Sequence, residues 1–149
     1  MSELRKRLLA VLLVRANRAV STDLLADVLW GEDLPERPAK SLQVHMYRLR
    51  SALDRPDRLT GVRGAYQLEV GPSELDAAEF AGLHDDARMA LADGDVDGAV
   101  AAWRAALGLW RGAPFADVDD GVVVGPEARR LAEARLIAAE ELYEVELGR

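Results

Sequence analysis

Residues 38 to 54, PAKSLQVHMYRLRSALD, carry a helical pattern with two distinct faces. Apolar side chains recur at i, i+4, i+7 and i+11, which is the spacing of one helix face: Leu42, Met46, Leu49 and Leu53. The opposite side carries Lys40, Gln43, Val44, Tyr47, Arg48 and Ser51, flanked by His45 and Arg50. Arg can pair with guanine, Gln with adenine, and an exposed Val can contact a thymine methyl group. The pattern fits a helix that reads the DNA major groove, and equally a core helix with a solvated polar face.

The neighbouring segments favour a winged helix-turn-helix. Ser21-Thr22-Asp23 is a helix-start signal, and the apolar pattern that follows ends at Gly31. Residues 31 to 38 form a turn that leads into the two-faced helix. Beyond that helix, residues 58 to 70 read RLTGVRGAYQLEV, in which alternating apolar residues predict a half-buried strand. Residues 61 to 64 would form the tip of a hairpin wing, and an Arg on such a tip can enter a narrow minor groove.

Several separate runs carry a family resemblance. VHMYRLRSAL at 44 to 53, followed by VRGAYQL at 62 to 68, resembles the winged-helix domain of the OmpR/PhoB response regulators. The whole chain more closely resembles the Streptomyces antibiotic regulatory protein family, through RLLAVLLVRANRAVSTDLLADVLWG (7 to 31), LDAAEFAGL (75 to 83) and GDVDGAVAAWRAALGLWRG (94 to 112). The resemblance implies an OmpR-like DNA-binding domain at 1 to 70 and a bacterial transcriptional activation domain at 71 to 149. It also implies that the small N-terminal sheet and the last helices of the family are missing here.

The second half is predicted to be helical. Asp76 and Glu79 form a capping-box-like start, and an apolar stripe continues to about residue 92. After a tight turn, Asp95 caps a second helix that ends near Gly112, and a last helix starts at Pro126. Two helices joined in this way resemble one tetratricopeptide unit. The expected fold class is therefore mainly α, a winged helix-turn-helix with a small hairpin wing followed by a tetratricopeptide-like domain.

The charge is divided unequally between the two halves. The chain of 149 residues has a net charge of −7. Residues 1 to 70 hold 12 Lys and Arg against 9 Asp and Glu, which gives +3, and the remaining 7 against 17 give −10. Such an asymmetry indicates that one half meets a polyanion and the other does not.

The composition argues against several other classes of protein. The absence of Cys excludes disulfides and fits a cytoplasmic location, and the two His are too far apart for a metal cluster. The apolar run LLAVLLV is too short to span a membrane. Asp117, Asp119 and Asp120 do not have the spacing of a calcium loop. Since no nucleophile, phosphate-loop or metalloprotease motif is present, we expect neither an enzyme nor a cofactor.

The site hypothesis is therefore a DNA-binding surface. Side chains expected to meet base edges are Gln43, Val44, Tyr47 and Arg48. Those expected to meet phosphates are Lys40, His45 and Arg50, with Arg63 in the minor groove. The OmpR/PhoB-like motif supports positions 44, 45, 48, 50 and 63 most directly. Two structural alternatives stay open: Tyr47 could pack on residues 31 to 38, and Arg50 could pair with Asp54.

The resulting prediction is a transcriptional activator that binds double-stranded DNA. The family resemblance implies binding to direct repeats near promoters of secondary-metabolite or related genes. It also implies contact with RNA polymerase subunits and pairing of protomers as a homodimer. The alternative is a helical protein–protein interaction adaptor that has lost DNA binding. A third reading is the sensory part of a longer regulator.

Overall fold

The computed structural model describes residues 2–71, 74–112 and 122–148. The chain divides into two compact units, the first of which takes residues up to Val70. Residues 122–127, which the sequence predicts to lie in the second domain, pack with the first unit. The reason is that Val123 and Val124 are buried among its core side chains, at 6% and 0% exposure. The second unit contains residues 71, 74–112 and 128–148 of the described chain.

The helices of the first unit include α1 (Glu3–Val14), α2 (Thr22–Trp30), α3 (Pro38–Ala52) and a short 3-10 helix at Pro56–Arg58. The predicted start of α2 is confirmed, since the Leu24 N–H donates to Ser21 Oγ at 3.1 Å. The α2 helix ends at Gly31, whose φ of 58° is costly for residues with a side chain. The α3 helix ends at Ala52, two residues before the end of the pattern that begins at Pro38.

A three-stranded antiparallel sheet completes the first unit. Its strands are β1 (Val20–Ser21), β2 (Leu59–Val62) and β3 (Ala65–Leu68), in the order β1-β3-β2. The β2–β3 hairpin pairs Leu59 with Leu68 and Val62 with Ala65, which leaves only Arg63 and Gly64 in the turn. The predicted tip of residues 61 to 64 is therefore too long, because residues 61 and 62 already pair within β2.

The core of this unit is drawn from all of its elements. Its fully buried members, at 0 or 1% exposure, are Leu8, Val11, Leu12, Leu25, Leu42, Met46, Leu49, Leu59 and Val124. Asn17, which follows α1, is exposed and adopts the left-handed region, at φ 64°. Its side chain exchanges two hydrogen bonds with the backbone of Val70, at 2.9 and 3.0 Å. These bonds fix the end of the wing against the end of α1.

The second unit is helical over its described residues. Its elements are α4 (Asp76–Ala92), α5 (Val96–Gly108) and α6 (Val124–Leu147), the first turn of which lies in the first unit. The cap at Asp95 is confirmed by a 2.9 Å bond from the Gly98 N–H to its carboxylate. The predicted capping box at Asp76 is wrong, because the cap residue is Leu75 and no side chain bonds there.

Two further helix limits differ from the sequence prediction. The α5 helix ends at Gly108, four residues before Gly112. The α6 helix begins at Val124, two residues before Pro126. Asp117, Asp119 and Asp120 lie outside the described residues. No helix in the described parts of the chain combines the length and the apolar character needed to cross a membrane.

Trp103 is the centre of the second core. Its side chain is fully buried, and its indole N–H donates to Nδ1 of His84 at 3.0 Å. The rings of Phe80 and Trp110 form a T-shaped pair, with their centroids 5.8 Å apart. At the surface, Arg88 donates to Glu141 at 3.1 Å from Nε, and this bond is the main cause that lowers the pKa of Glu141. A second ion pair joins Arg104 to Glu146.

Candidate nucleic-acid interface

The α3 helix has one buried and one exposed face. Leu42, Met46 and Leu49 are at most 1% exposed, as the sequence predicts. The exposed face consists of Lys40, Gln43, Val44, Tyr47, Arg48 and Ser51. Tyr47 is 69% exposed, so the alternative in which it packs on residues 31 to 38 is wrong. An exposed Tyr and Val amid polar side chains give this face an apolar component that a purely solvated face lacks.

Three predicted contact residues carry charges without counter-ions. Among residues 2–71, 74–112 and 122–148, the side chains of Lys40, Arg48 and Arg63 make neither a hydrogen bond nor an ion pair. All three residues are exposed. Their cationic groups are therefore available to a polyanion without first breaking an internal pair.

His45 lies on the flank of α3, against Trp30. The two ring centroids are 6.3 Å apart, and the ring planes are tilted by 49°. Its Nδ1 is buried and has no hydrogen-bond partner among the described residues. Burial lowers the pKa of His45, and the positive charges of Arg5 and Arg48 lower it further. The imidazole is therefore predominantly neutral at pH 7, and any bond that it donates to a phosphate comes from a neutral ring.

Arg50 joins α3 to the wing. Its Nε donates to the carbonyl oxygen of Leu59, the first residue of β2, at 3.0 Å. The alternative pairing with Asp54 is wrong, because Asp54 accepts hydrogen bonds from Arg58 at 2.8 and 3.3 Å. The Arg58 bond is also the main cause of the lowered pKa of Asp54.

Arg58 is a site-organising residue that the sequence analysis missed. Besides Asp54, its guanidinium donates to the carbonyl oxygen of Glu69 at 3.2 Å. Its side chain is only 13% exposed, which is low for an Arg. It therefore holds the end of α3 against the end of β3. The four-residue spacing of Asp54 and Arg58 is the only signal of this contact in the sequence, and Pro56 obscures it because a Pro interrupts a continuous α-helix between them. The structure has a short 3-10 helix at Pro56–Arg58 instead.

Arg63 projects from the two-residue turn of the wing. Its neighbour Gly64 adopts a φ of 62°, which strongly favours Gly at this position. The carbonyl oxygen of Gly64 accepts a hydrogen bond from the Thr22 N–H, at 2.9 Å. The turn is thus fixed to the start of α2, and the wing and the helix-turn-helix form one structural unit.

These elements define a class of protein. Residues 1–66 match the family described as "Transcriptional regulatory protein, C terminal". Residues 75–149 match the "Bacterial transcriptional activator domain". The chain therefore belongs to the class that joins an OmpR-like winged-helix domain to a bacterial transcriptional activator domain. Within that class it belongs to the Streptomyces antibiotic regulatory protein family, whose members are regulators and not enzymes.

Relatives and a solved structure agree with this assignment. The chain is 31% identical to the regulatory protein DnrI of Streptomyces peucetius, over 95% of this chain and 56% of DnrI. It is 35% identical to the transcriptional regulator RedD of Streptomyces coelicolor, over 92% of this chain and 41% of RedD. The structure of Mycobacterium tuberculosis EmbR in complex with a low-affinity phosphopeptide superposes with a TM-score of 0.90 at 27% identity. That match covers 99% of this chain and 40% of EmbR, and it confirms the predicted fold class. The chain thus spans about half, or less, of the relatives that it matches.

Proposed function

We propose that this chain is a sequence-specific DNA-binding transcriptional activator. The observation that carries the proposal is the exposed face of α3. One side of the helix is fixed in the core by three buried side chains, and the other presents Arg48 and Lys40 without counter-ions. A rigid helix with this division suits insertion into the major groove.

Each predicted contact residue has a defined role in this proposal. Gln43, Val44, Tyr47 and Arg48 meet base edges, and Lys40 meets a phosphate. His45 donates to a phosphate as a neutral ring, and Arg63 enters the minor groove from the wing tip. Arg50 acts mainly by fixing the position of the wing relative to α3, because its Nε donates to the carbonyl oxygen of Leu59. Its terminal nitrogens remain candidates for a phosphate contact.

The acidic second unit would act on transcription rather than on DNA. The described residues of this unit, 71, 74–112 and 128–148, hold 6 Lys and Arg against 13 Asp and Glu, a charge that disfavours contact with phosphates. We assign to this unit the contact with RNA polymerase and the pairing of protomers on direct repeats, in the cytoplasm. The family membership of the chain supports this assignment, as does its similarity to the regulatory protein DnrI and the transcriptional regulator RedD.

Selection from a pool of random duplexes tests the proposal. The purified chain is incubated with the pool at two salt concentrations, and the bound fraction is sequenced. We expect an enriched repeated motif whose binding weakens steeply with salt. The slope of log affinity against log salt concentration should be about −1 for each phosphate that the protein neutralises. If a folded sample gives neither enrichment nor salt-sensitive binding, the proposal is wrong and the protein-interaction adaptor becomes the better hypothesis.

A further inference from the structure

The connection between α1 and α2, residues 17 to 22, follows β3 along its whole length. At one end, the Asn17 N–H donates to the carbonyl oxygen of Leu68 at 2.8 Å. In the middle, β1 pairs with β3. At the other end, the Thr22 N–H donates to the carbonyl oxygen of Gly64, in the turn of the wing, at 2.9 Å. The strand that leads from the wing tip is therefore held by backbone hydrogen bonds from end to end.

The side chain of Asn17 continues this pairing past the end of β3. Its Nδ2 donates to the carbonyl oxygen of Val70 at 3.0 Å, and its Oδ1 accepts from the Val70 N–H at 2.9 Å. An Asn amide offers one donor group and one acceptor, so it pairs with Val70 as the backbone of a further strand residue would. Asn is also among the few residues with a side chain that adopt the left-handed region readily, as this position requires at φ 64°.

The same end of β3 is held from its other side by Arg58. The Arg58 carbonyl oxygen accepts from the Glu69 N–H at 2.8 Å, and the guanidinium donates to the Glu69 carbonyl oxygen at 3.2 Å. Successive residues of a strand turn their backbone groups to opposite sides, so Glu69 and Val70 bond to opposite neighbours. The base of the hairpin is thus clamped between Arg58 and Asn17. Because its strands are only four residues long, the orientation of the base sets the orientation of the tip.

We infer that Asn17 is a positioning residue for the DNA contact of the wing, because its side chain holds the base of the hairpin in the orientation that presents Arg63 to the minor groove. The inference rests on the proposed DNA binding, and it gives a role to a residue outside the predicted interface. Asn17 itself does not contact DNA. Without its amide, the last residue before the second unit is released from α1, and Arg63 spends less time in the binding orientation.

Asn17→Gly isolates the contribution of the side chain. Gly adopts a φ of 64° without strain, so this substitution removes the amide and allows the backbone bond to Leu68 to remain. Ala19→Gly is the matched control. It introduces the same backbone freedom at an exposed position of the same connection and removes no hydrogen-bonding group. Each of the two variants is also combined with Arg63→Gln.

Affinity is measured for the duplex that the selection from the random pool enriches. We expect Arg63→Gln to weaken binding about tenfold, as for one charged hydrogen bond. Asn17→Gly should weaken it about threefold, because the binding orientation of Arg63 is populated for a smaller fraction of the time. In the Arg63→Gln background, Asn17→Gly should cause no further loss, since the group that it positions is already gone. Ala19→Gly should cause little change in either background.

The double variant separates positioning from a purely structural role. A structural defect that lowers the amount of folded protein weakens binding equally in both backgrounds. Affinities are therefore compared at a temperature at which circular dichroism shows every variant to be folded. An equal loss in both backgrounds, or full affinity in Asn17→Gly or in Arg63→Gln, would overturn this inference alone. A wild-type chain that enriches no duplex would overturn the proposed function and the inference with it.

Discussion

The Nε of Arg50 donates a 3.0 Å hydrogen bond to the carbonyl oxygen of Leu59, so α3 is tied directly to the first strand of the wing. Arg58 makes a second tie, from the end of α3 to the end of β3, through Asp54 and the carbonyl oxygen of Glu69. Both ties are made by Arg side chains whose planar donors reach backbone or carboxylate oxygens. The spacing between the helix face and the wing tip is therefore fixed before any DNA is bound.

Arg50→Lys tests this tie, because it keeps the charge and removes the Nε donor. We expect a loss of about 1 kcal/mol in the free energy of unfolding, the net worth of one hydrogen bond. Affinity for a site enriched in the selection should fall more than affinity for random duplex. The reason is that only specific binding needs the wing at a fixed position relative to α3. Urea unfolding and competition binding measure the two effects. Unchanged stability together with unchanged discrimination would show that the bond does not position the wing.

Arg48→Ala should remove sequence discrimination. Arg48 is exposed in the middle of the α3 face, and a bidentate Arg–guanine pair discriminates by about 1–3 kcal/mol. The expected result is a specific affinity that falls to the level of random duplex. Arg129→Ala, which removes the same charge from an exposed position of α6, serves as the control. Full specificity in Arg48→Ala would show that α3 is not the recognition helix.

The lowered pKa of His45 makes stability depend on pH. The unfolded chain titrates near 6.5 and the folded chain lower, so between these values the unfolded state binds more protons. The contribution of this residue is fully present above pH 6.5 and is lost as the pH falls through the lowered folded pKa. We expect His45→Gln to remove this part of the pH dependence of the urea midpoint, measured from about pH 5 to about pH 7.5. If both proteins lose stability equally over this range, His45 is not the titrating group.

Trp103→Ala should be strongly destabilising. Trp103 is fully buried, and truncation of a core Trp typically costs about 3–5 kcal/mol through lost transfer energy and the cavity that remains. Trp103→Phe keeps most of the apolar volume but removes the donor to His84, so a smaller loss of about 1 kcal/mol is expected. Urea unfolding followed by far-UV circular dichroism gives both values. A similar cost for the two variants would assign the stabilisation to the hydrogen bond rather than to packing.

The sequence predicted those features of the interface that depend on local periodicity. The two faces of α3 follow from the spacing of Leu42, Met46 and Leu49, and the start of α2 follows from Ser21. These features need no knowledge of distant residues. The hairpin was also foreseen from its alternation, although its turn proved to be two residues long.

The sequence could not predict which distant groups meet. Arg50 donates to a backbone carbonyl oxygen in another element. Every residue has such a carbonyl, so the residue types in the sequence do not indicate this contact. The neighbours of His45 come from three helices, with Arg5 on α1 and Trp30 on α2. Two helix limits also differ from the residue pattern: α5 ends at Gly108 and not at Gly112, and α6 begins at Val124 and not at Pro126.

The burial of Val123 and Val124 in the first core has a consequence for the order in which the protein can mature. The first unit is discontinuous along the chain, since α4 and α5 are synthesised between its main part and Val123 and Val124. A nascent chain that has just emerged to Val70 holds a complete α3 and wing but an unfilled place in its core. The first unit therefore completes its packing only after the ribosome has passed Val124, so its fold is finished only when most of the second unit has also been made.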